Sequence, residues 1–138
     1  MEQYNLSQDM NLVLYPAKNF PNDVESAFKE LDKKIGGGPN RVWFGISKGS
    51  PNGIVYWAAG LEAYEGEGKK AGLDTLLLTK GEYMTETIED WRNNKQKFME
   101  VFGRLLKYPE MDMNFPCVEW YKSDKEVMCM VRIIPGKK

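Results

Sequence analysis

The feature that most constrains this chain is a succession of patterns that occurs twice: strand, helix, strand, strand. In the first half Leu12-Val13-Leu14-Tyr15 reads as a strand and Phe20-Pro21-Asn22 as a helix start. Val24, Phe28, Leu31 and Ile35 then recur at helical spacing, with Ala27 beside them. Pro21 suits a helix entrance, and Asn22 with Glu25 three residues on resembles a capping box. Gly36 to Pro39 ends the helix. Arg41 to Ser47 and Gly53 to Tyr64 follow as strands joined by the turn Lys48-Gly49-Ser50-Pro51-Asn52-Gly53.

The second half repeats the order. Leu73 to Thr79 reads as a strand with Lys80-Gly81-Glu82-Tyr83 as its exit. Ile88, Trp91, Phe98, Val101, Phe102, Leu105 and Leu106 mark a long amphipathic helix that Tyr108-Pro109 stops. Pro116 to Tyr121 and Val127 to Ile134 form a hairpin around Lys122 to Glu126. The stretch Glu65-Gly66-Glu67-Gly68-Lys69-Lys70 between the halves reads as a mobile surface loop. The expectation is one α+β domain over residues 1–138, with half-repeats at about 6–64 and 72–135 related by a pseudo-two-fold axis. Two such units give antiparallel sheet with two helices covering one face and a groove on the other, where the halves meet.

Composition closes off several functions. Hydrophobic residues at 42% and aromatics at 12% favour a folded chain over disorder. A formal charge of −1, from 19 basic and 20 acidic residues, gives no electrostatic reason to expect nucleic acid or an anionic membrane as partner. The chain has no histidine, which excludes His-based nucleophile pairs and imidazole metal sites. Two cysteines cannot make a four-thiolate site, and no clustered acids show metal-ligand spacing, so neither metal nor cofactor is expected. Two cysteines, no apolar run of membrane-spanning length and no signal-like N-terminus lead to a cytoplasmic expectation.

One strand carries an unusual residue. In Cys117-Val118-Glu119-Trp120-Tyr121 the acid sits mid-strand among aromatics, with Cys117, Glu119 and Tyr121 on one face and Val118 and Trp120 on the other. A carboxylate there is costly unless it is solvated, paired or meant for a ligand. The pairing partners in view are Arg41, Arg132 or a backbone amide. Val42, Phe44 and Ile46 read as core under the helices, leaving Trp43 with Gly45 and Ser47 on the other face as a pocket wall. Tyr56 is assigned to the cleft and Trp57, Trp91 and Trp120 to the core, although a one-residue slip reverses every such assignment. Cys117 and Cys129 are expected to be buried, reduced thiols, with no base to activate Cys117.

Lys80-Gly81-Glu82-Tyr83, the helix containing Trp91 and Pro116-Cys117-Val118-Glu119-Trp120-Tyr121, in that order, resemble the GyrI-like effector-binding family. The domains of that family also serve as drug sensors in AraC-type and MerR-type regulators. The resemblance covers nearly the whole chain. It implies a cleft between two halves, lined by aromatic rings around a buried glutamate, that takes up cationic or amphipathic small molecules, as in multidrug sensing or sequestration. The matching acid is Glu119, with Tyr121, Trp43, Tyr56 and Tyr83 as the other ligand-binding candidates. The chain looks like a stand-alone effector domain with no direct DNA binding expected; its oligomeric state is left open.

Two other classes stay in view. Some GyrI-like proteins are hydrolases of strained, cyclopropane-bearing alkylating agents, which would make Glu119 a general base and Tyr121 or Tyr83 a proton donor or substrate holder. The third is a protein-interaction module of the gyrase-inhibitor kind. Binding without turnover is the leading expectation.

Overall fold

The computed structural model describes residues 1–136. Its elements are β1 (Glu2–Leu6), β2 (Met10–Pro16), α1 (Val24–Ile35), β3 (Trp43–Ser50), β4 (Gly53–Leu61), α2 (Glu67–Lys70), β5 (Thr75–Leu78), β6 (Gly81–Glu89), α3 (Lys97–Leu105), β7 (Cys117–Tyr121) and β8 (Glu126–Arg132). Single 3-10 turns lie at Gly38–Asn40 and Trp91–Asn93. The strand pairings are antiparallel, and the class is α+β as expected.

The chain divides into two compact units, Asp9–Thr79 and Met1–Gln8 with the segment from Lys80 onward. In the first, the strand order is β5-β2-β4-β3. Val13 and Ala58 meet Ala27 and Leu31 of α1 there, with Phe28, Ile35 and Trp43 packed around them. In the second, the order is β1-β6-β8-β7. Met84, Ile88, Val127, Cys129 and Val131 meet Val101 and Leu105 of α3. Each unit thus holds a β-α-β-β succession (β2-α1-β3-β4 and β6-α3-β7-β8) plus one outer strand; the second succession opens with β6, whereas the Leu73–Thr79 segment expected to open it is β5, paired with β2 in the first unit. Among the described residues no helix is long and apolar enough to cross a membrane.

Four expectations about local structure need correction. The segment read as a strand exit and helix start is the nine-residue strand β6, which alternates Tyr83, Thr85 and Thr87 against Met84, Glu86 and Ile88. Asp90, at φ 51°, then breaks the backbone, so the helix begins only at Lys97 and Trp91 lies in a 3-10 turn before it. At the start of α1 the cap position is Asp23, and no side chain caps the helix, so the Asn22–Glu25 box does not form.

The Glu65–Lys70 stretch is not simply a surface loop. It contains α2, and Glu67 is buried there against Arg41. All five donor hydrogens of that guanidinium are used. Nε donates to Gly36 O at 2.7 Å, Nη1 to Leu61 O at 2.7 Å and Glu67 Oε1 at 2.9 Å, and Nη2 to Ile35 O at 2.7 Å and Glu67 Oε2 at 3.0 Å. Glu67 also accepts from Ala63 N at 2.8 Å. One side chain therefore satisfies carbonyls at the end of α1, which have no partner within the helix, and fastens β4 and α2 to them. Two glycines make room for it. Gly37 sits at φ +103°, and a Cβ there would come within 2.8 Å of Arg41 Cβ; a Cβ on Gly60 would come within 2.9 Å of Arg41 Cδ.

The fourth correction concerns faces. Cross-strand partners share a face, and β3 pairs Trp43 with Gly60, Gly45 with Ala58 and Ser47 with Tyr56. Val13 also pairs with Gly60, so this is the α1 side of the sheet. Phe44 and Ile46 are fully buried, but on the face away from α1, and Trp57 shares that face only half-buried. The alternation was read correctly and its sense inverted, because both faces of β3 and β4 are apolar.

Candidate functional site

Glu119 lies in the middle of β7, opposite Cys129 of β8, and only 8% of its surface is exposed. Tyr121, two residues on and therefore on the same face, donates its phenol O–H to Glu119 Oε1 at 2.7 Å. That is the usual length of an O–H···O hydrogen bond, and a phenol donating to a carboxylate stabilises the anion. Tyr121 is held in turn by Trp91, whose ring meets it edge-on at 5.0 Å. Trp91 is itself packed edge-on against Phe98 of α3 at 6.5 Å, with the Arg92 guanidinium 4.5 Å from its ring centre. Two aromatic side chains thus carry the helix core to the acid. Trp91 is half-buried and packed against that core, as expected of it.

The flanking thiols are inert. Burial, reinforced by the negative charge of Glu119, pushes the half-buried Cys117 up to about 11. Burial pushes Cys129 further still, again with Glu119 adding to it. Both remain neutral near pH 7 and are free, not joined; Cys129 pairs with Glu119 across the strands, not with Cys117. Of the two arginines considered for Glu119, Arg41 pairs with Glu67, and Arg132 lies 3.8 Å from Asp112. Among the described residues no group of three or more Cys, Asp or Glu is placed to hold a metal ion.

The remaining candidates do not gather around this pair within its unit. Tyr83 pairs with Arg132, two residues from Met130, which pairs with Val118; Tyr83 is therefore on the opposite face of the sheet from Glu119. It is fully buried, edge-on to Phe115 at 6.3 Å. Trp120 shares that face and is not core. Tyr4 meets it edge-on at 6.2 Å, and Lys122 Nζ lies 3.4 Å from its ring centre. In the other unit, Trp43 and Tyr56 share the α1 face, and both meet Phe28 edge-on, at 6.3 and 6.5 Å. Trp43 is fixed by its indole N–H on Gly38 O at 2.9 Å, and Tyr56 is 2% exposed beneath Phe20, stacked at 5.3 Å.

The sequence reading missed the Trp91–Tyr121 contact and the Arg41–Glu67 pair. The first comes from β6 being a strand, which brings Trp91 to the end of the sheet. The second has no periodic signal, since Glu67 falls in a segment of glycines and charges.

No family model matches the chain, and no curated relative matches it. Solved structures do. One is SAV2435, bound to tetraphenylphosphonium, at TM-score 0.61 and 15% identity over 95% of this chain and 93% of that one. A Staphylococcus aureus protein named for bacterial transcription regulation matches at TM-score 0.57 and 14% identity, over 95% and 97%. A hydrolase from Listeria innocua matches at TM-score 0.57 and 13% identity, over 96% and 90%. At these identities the likeness is one of fold, consistent with the GyrI-like architecture that the sequence motifs imply.

Proposed function

We propose that this chain is a small-molecule binding domain in which Glu119, oriented by Tyr121, is the counter-charge for a lipophilic cation. The observation that carries the reading is the buried Glu119 carboxylate held by the Tyr121 phenol on an aromatic strand face. A carboxylate fixed in low-dielectric surroundings attracts a cation far more strongly than one in water, and adjacent rings add cation–π surface. A delocalised, weakly hydrated cation loses little on leaving water, so it is the class that such a site selects. The fold likeness to a protein solved with tetraphenylphosphonium supports that class. The reading needs only Glu119 and Tyr121.

The hydrolase reading keeps the same pair, and the fold likeness to a hydrolase is what favours it. Glu119 would then activate a water while Tyr121 orients it. A carboxylate already accepting from a phenol serves better as a fixed charge than as a base, which is why binding is preferred.

The test is a thermal-shift series with tetraphenylphosphonium on the native protein, Glu119→Gln and Tyr121→Phe. Stabilisation that rises with ligand concentration and is lost in Glu119→Gln is expected. Equal stabilisation of native protein and Glu119→Gln would sink the counter-charge role.

A further inference from the structure

The strand β5 ends the strand order of its unit, with β2 on one side. Edge strands are normally protected by short length, charge, proline or a bulge, and β5, Thr75-Leu76-Leu77-Leu78, is short but carries neither charge nor proline nor bulge. Its backbone phase can be read from its pairing. Leu14 N donates to Asp74 O at 2.9 Å, and the register sets Leu12 against Leu76 and Met10 against Leu78. In an antiparallel ladder, bonded pairs alternate with unbonded ones. Asp74, Leu76 and Leu78 therefore turn their amides toward β2, whereas Thr75 and Leu77 turn theirs outward. Thr75 is exposed, and Leu77 is 42% exposed.

The sequence around this edge is self-complementary. Asp74-Thr75-Leu76-Leu77-Leu78-Thr79-Lys80 reads nearly the same in both directions about Leu77, with opposite charges at its ends. Set antiparallel to a second copy about Leu77, the strand places Leu77 against Leu77 and Leu76 against Leu78, while Thr79 and Lys80 lie beyond it, Lys80 in a bend. The central residue is one whose amide already points outward, so backbone phase and apolar match agree on one register.

We propose that this chain self-associates through β5, in a two-fold antiparallel pairing centred on Leu77. The occupant of this edge is a second copy because the same apolar strand, centred on Leu77, supplies both halves of the match, as an isologous contact requires. Two short strands bury less than the roughly 1,200 Å² of a standard stable interface, so the dimer is weak and concentration-dependent.

The symmetry provides a sharp test. Residue 77 is the only β5 position that meets its own equivalent, at a Cα separation of about 5.5 Å, inside the window for a disulfide. Copies of residue 75 lie about 13 Å apart, four residues along the strand. The experiment is sedimentation equilibrium of the full chain from micromolar to millimolar concentration, for native protein and Leu77→Lys. Oxidative cross-linking of Leu77→Cys and Thr75→Cys accompanies it, with native protein as background. Dimer that grows with concentration, at least tenfold weaker association of Leu77→Lys, and cross-linked dimer from Leu77→Cys alone are expected. Monomer throughout, an unchanged Leu77→Lys, or Thr75→Cys linking as fast as Leu77→Cys would overturn the proposal. If Leu77→Lys fails to fold, the two cysteine variants decide by themselves. Loss of cation binding in Glu119→Gln leaves this outcome untouched.

Discussion

Removing the Arg41 guanidinium should cost more than any other single polar change in the chain. Arg41 and Glu67 side chains are only 7% and 8% exposed, and the five Arg41 hydrogen bonds engage three carbonyls and both carboxylate oxygens. In Arg41→Met the carbonyls of Ile35, Gly36 and Leu61 lose that donor, and the Glu67 carboxylate is left with Ala63 N alone among these partners. Breaking a buried ion pair from one side costs about 3–5 kcal/mol, because the remaining charge stays desolvated. For a chain of this size that is a fall in Tm of about 10–20 °C. Arg41→Lys should recover only part of it, since an ammonium cannot span the fork. Glu67→Leu alone should cost a similar amount, but the double change Arg41→Met with Glu67→Leu should cost at least 2 kcal/mol less than the sum, by roughly the usual coupling within a network. Urea unfolding of the four proteins measures the cycle. Additive losses, or a single loss below about 1 kcal/mol, would refute the argument that this pair fastens α1, β4 and α2 together.

The same pair sets a pH dependence. The Arg41 hydrogen bond holds the Glu67 carboxyl below its usual range, against the opposing effect of burial. Its contribution is complete above the ordinary carboxylate value of about 4.3 and fades as pH falls through the lowered folded value, so acid unfolding of the double variant should be flatter there. Gly60→Ala should destabilise by about 1–3 kcal/mol, because its Cβ would meet Arg41 Cδ, Ile35 and Trp43 at 2.9–3.2 Å; chemical denaturation reads it directly. With Cys117 pushed up to about 11, near one thiol in a thousand is ionised at pH 8, so a thiol-exchange reagent should label native protein slowly and unfolded protein quickly.

The sequence revealed the features that periodicity carries. The apolar spacing of Val24, Ala27, Phe28, Leu31 and Ile35 gave α1, and the alternation in Cys117–Tyr121 gave β7 with Glu119 and Tyr121 on one face. It misled where two patterns overlap. Ile88 and Trp91 fit the stripe of the helix that follows, yet Ile88 lies in β6 and only the backbone turn at Asp90 separates it from the 3-10 turn at Trp91–Asn93. It was silent on sense. The β3 and β4 strands are apolar on both faces, so the side that meets α1 depends on tertiary packing, and Trp43 and Tyr56 lie against Phe28 rather than away from the helix. Arg41 and Glu67 meet across 26 residues of chain, and no local signal marks them.

The proposed function rests on the charge of Glu119. Calorimetric titration of native protein and Glu119→Gln with tetraphenylphosphonium, alongside triphenylphosphine oxide as an uncharged analogue, measures it most directly. The cation is expected to bind native protein and to weaken by about thirtyfold in the variant, the equivalent of about 2 kcal/mol, while the neutral analogue changes little. Equal weakening of both compounds, or no difference between the two proteins, would contradict the counter-charge role.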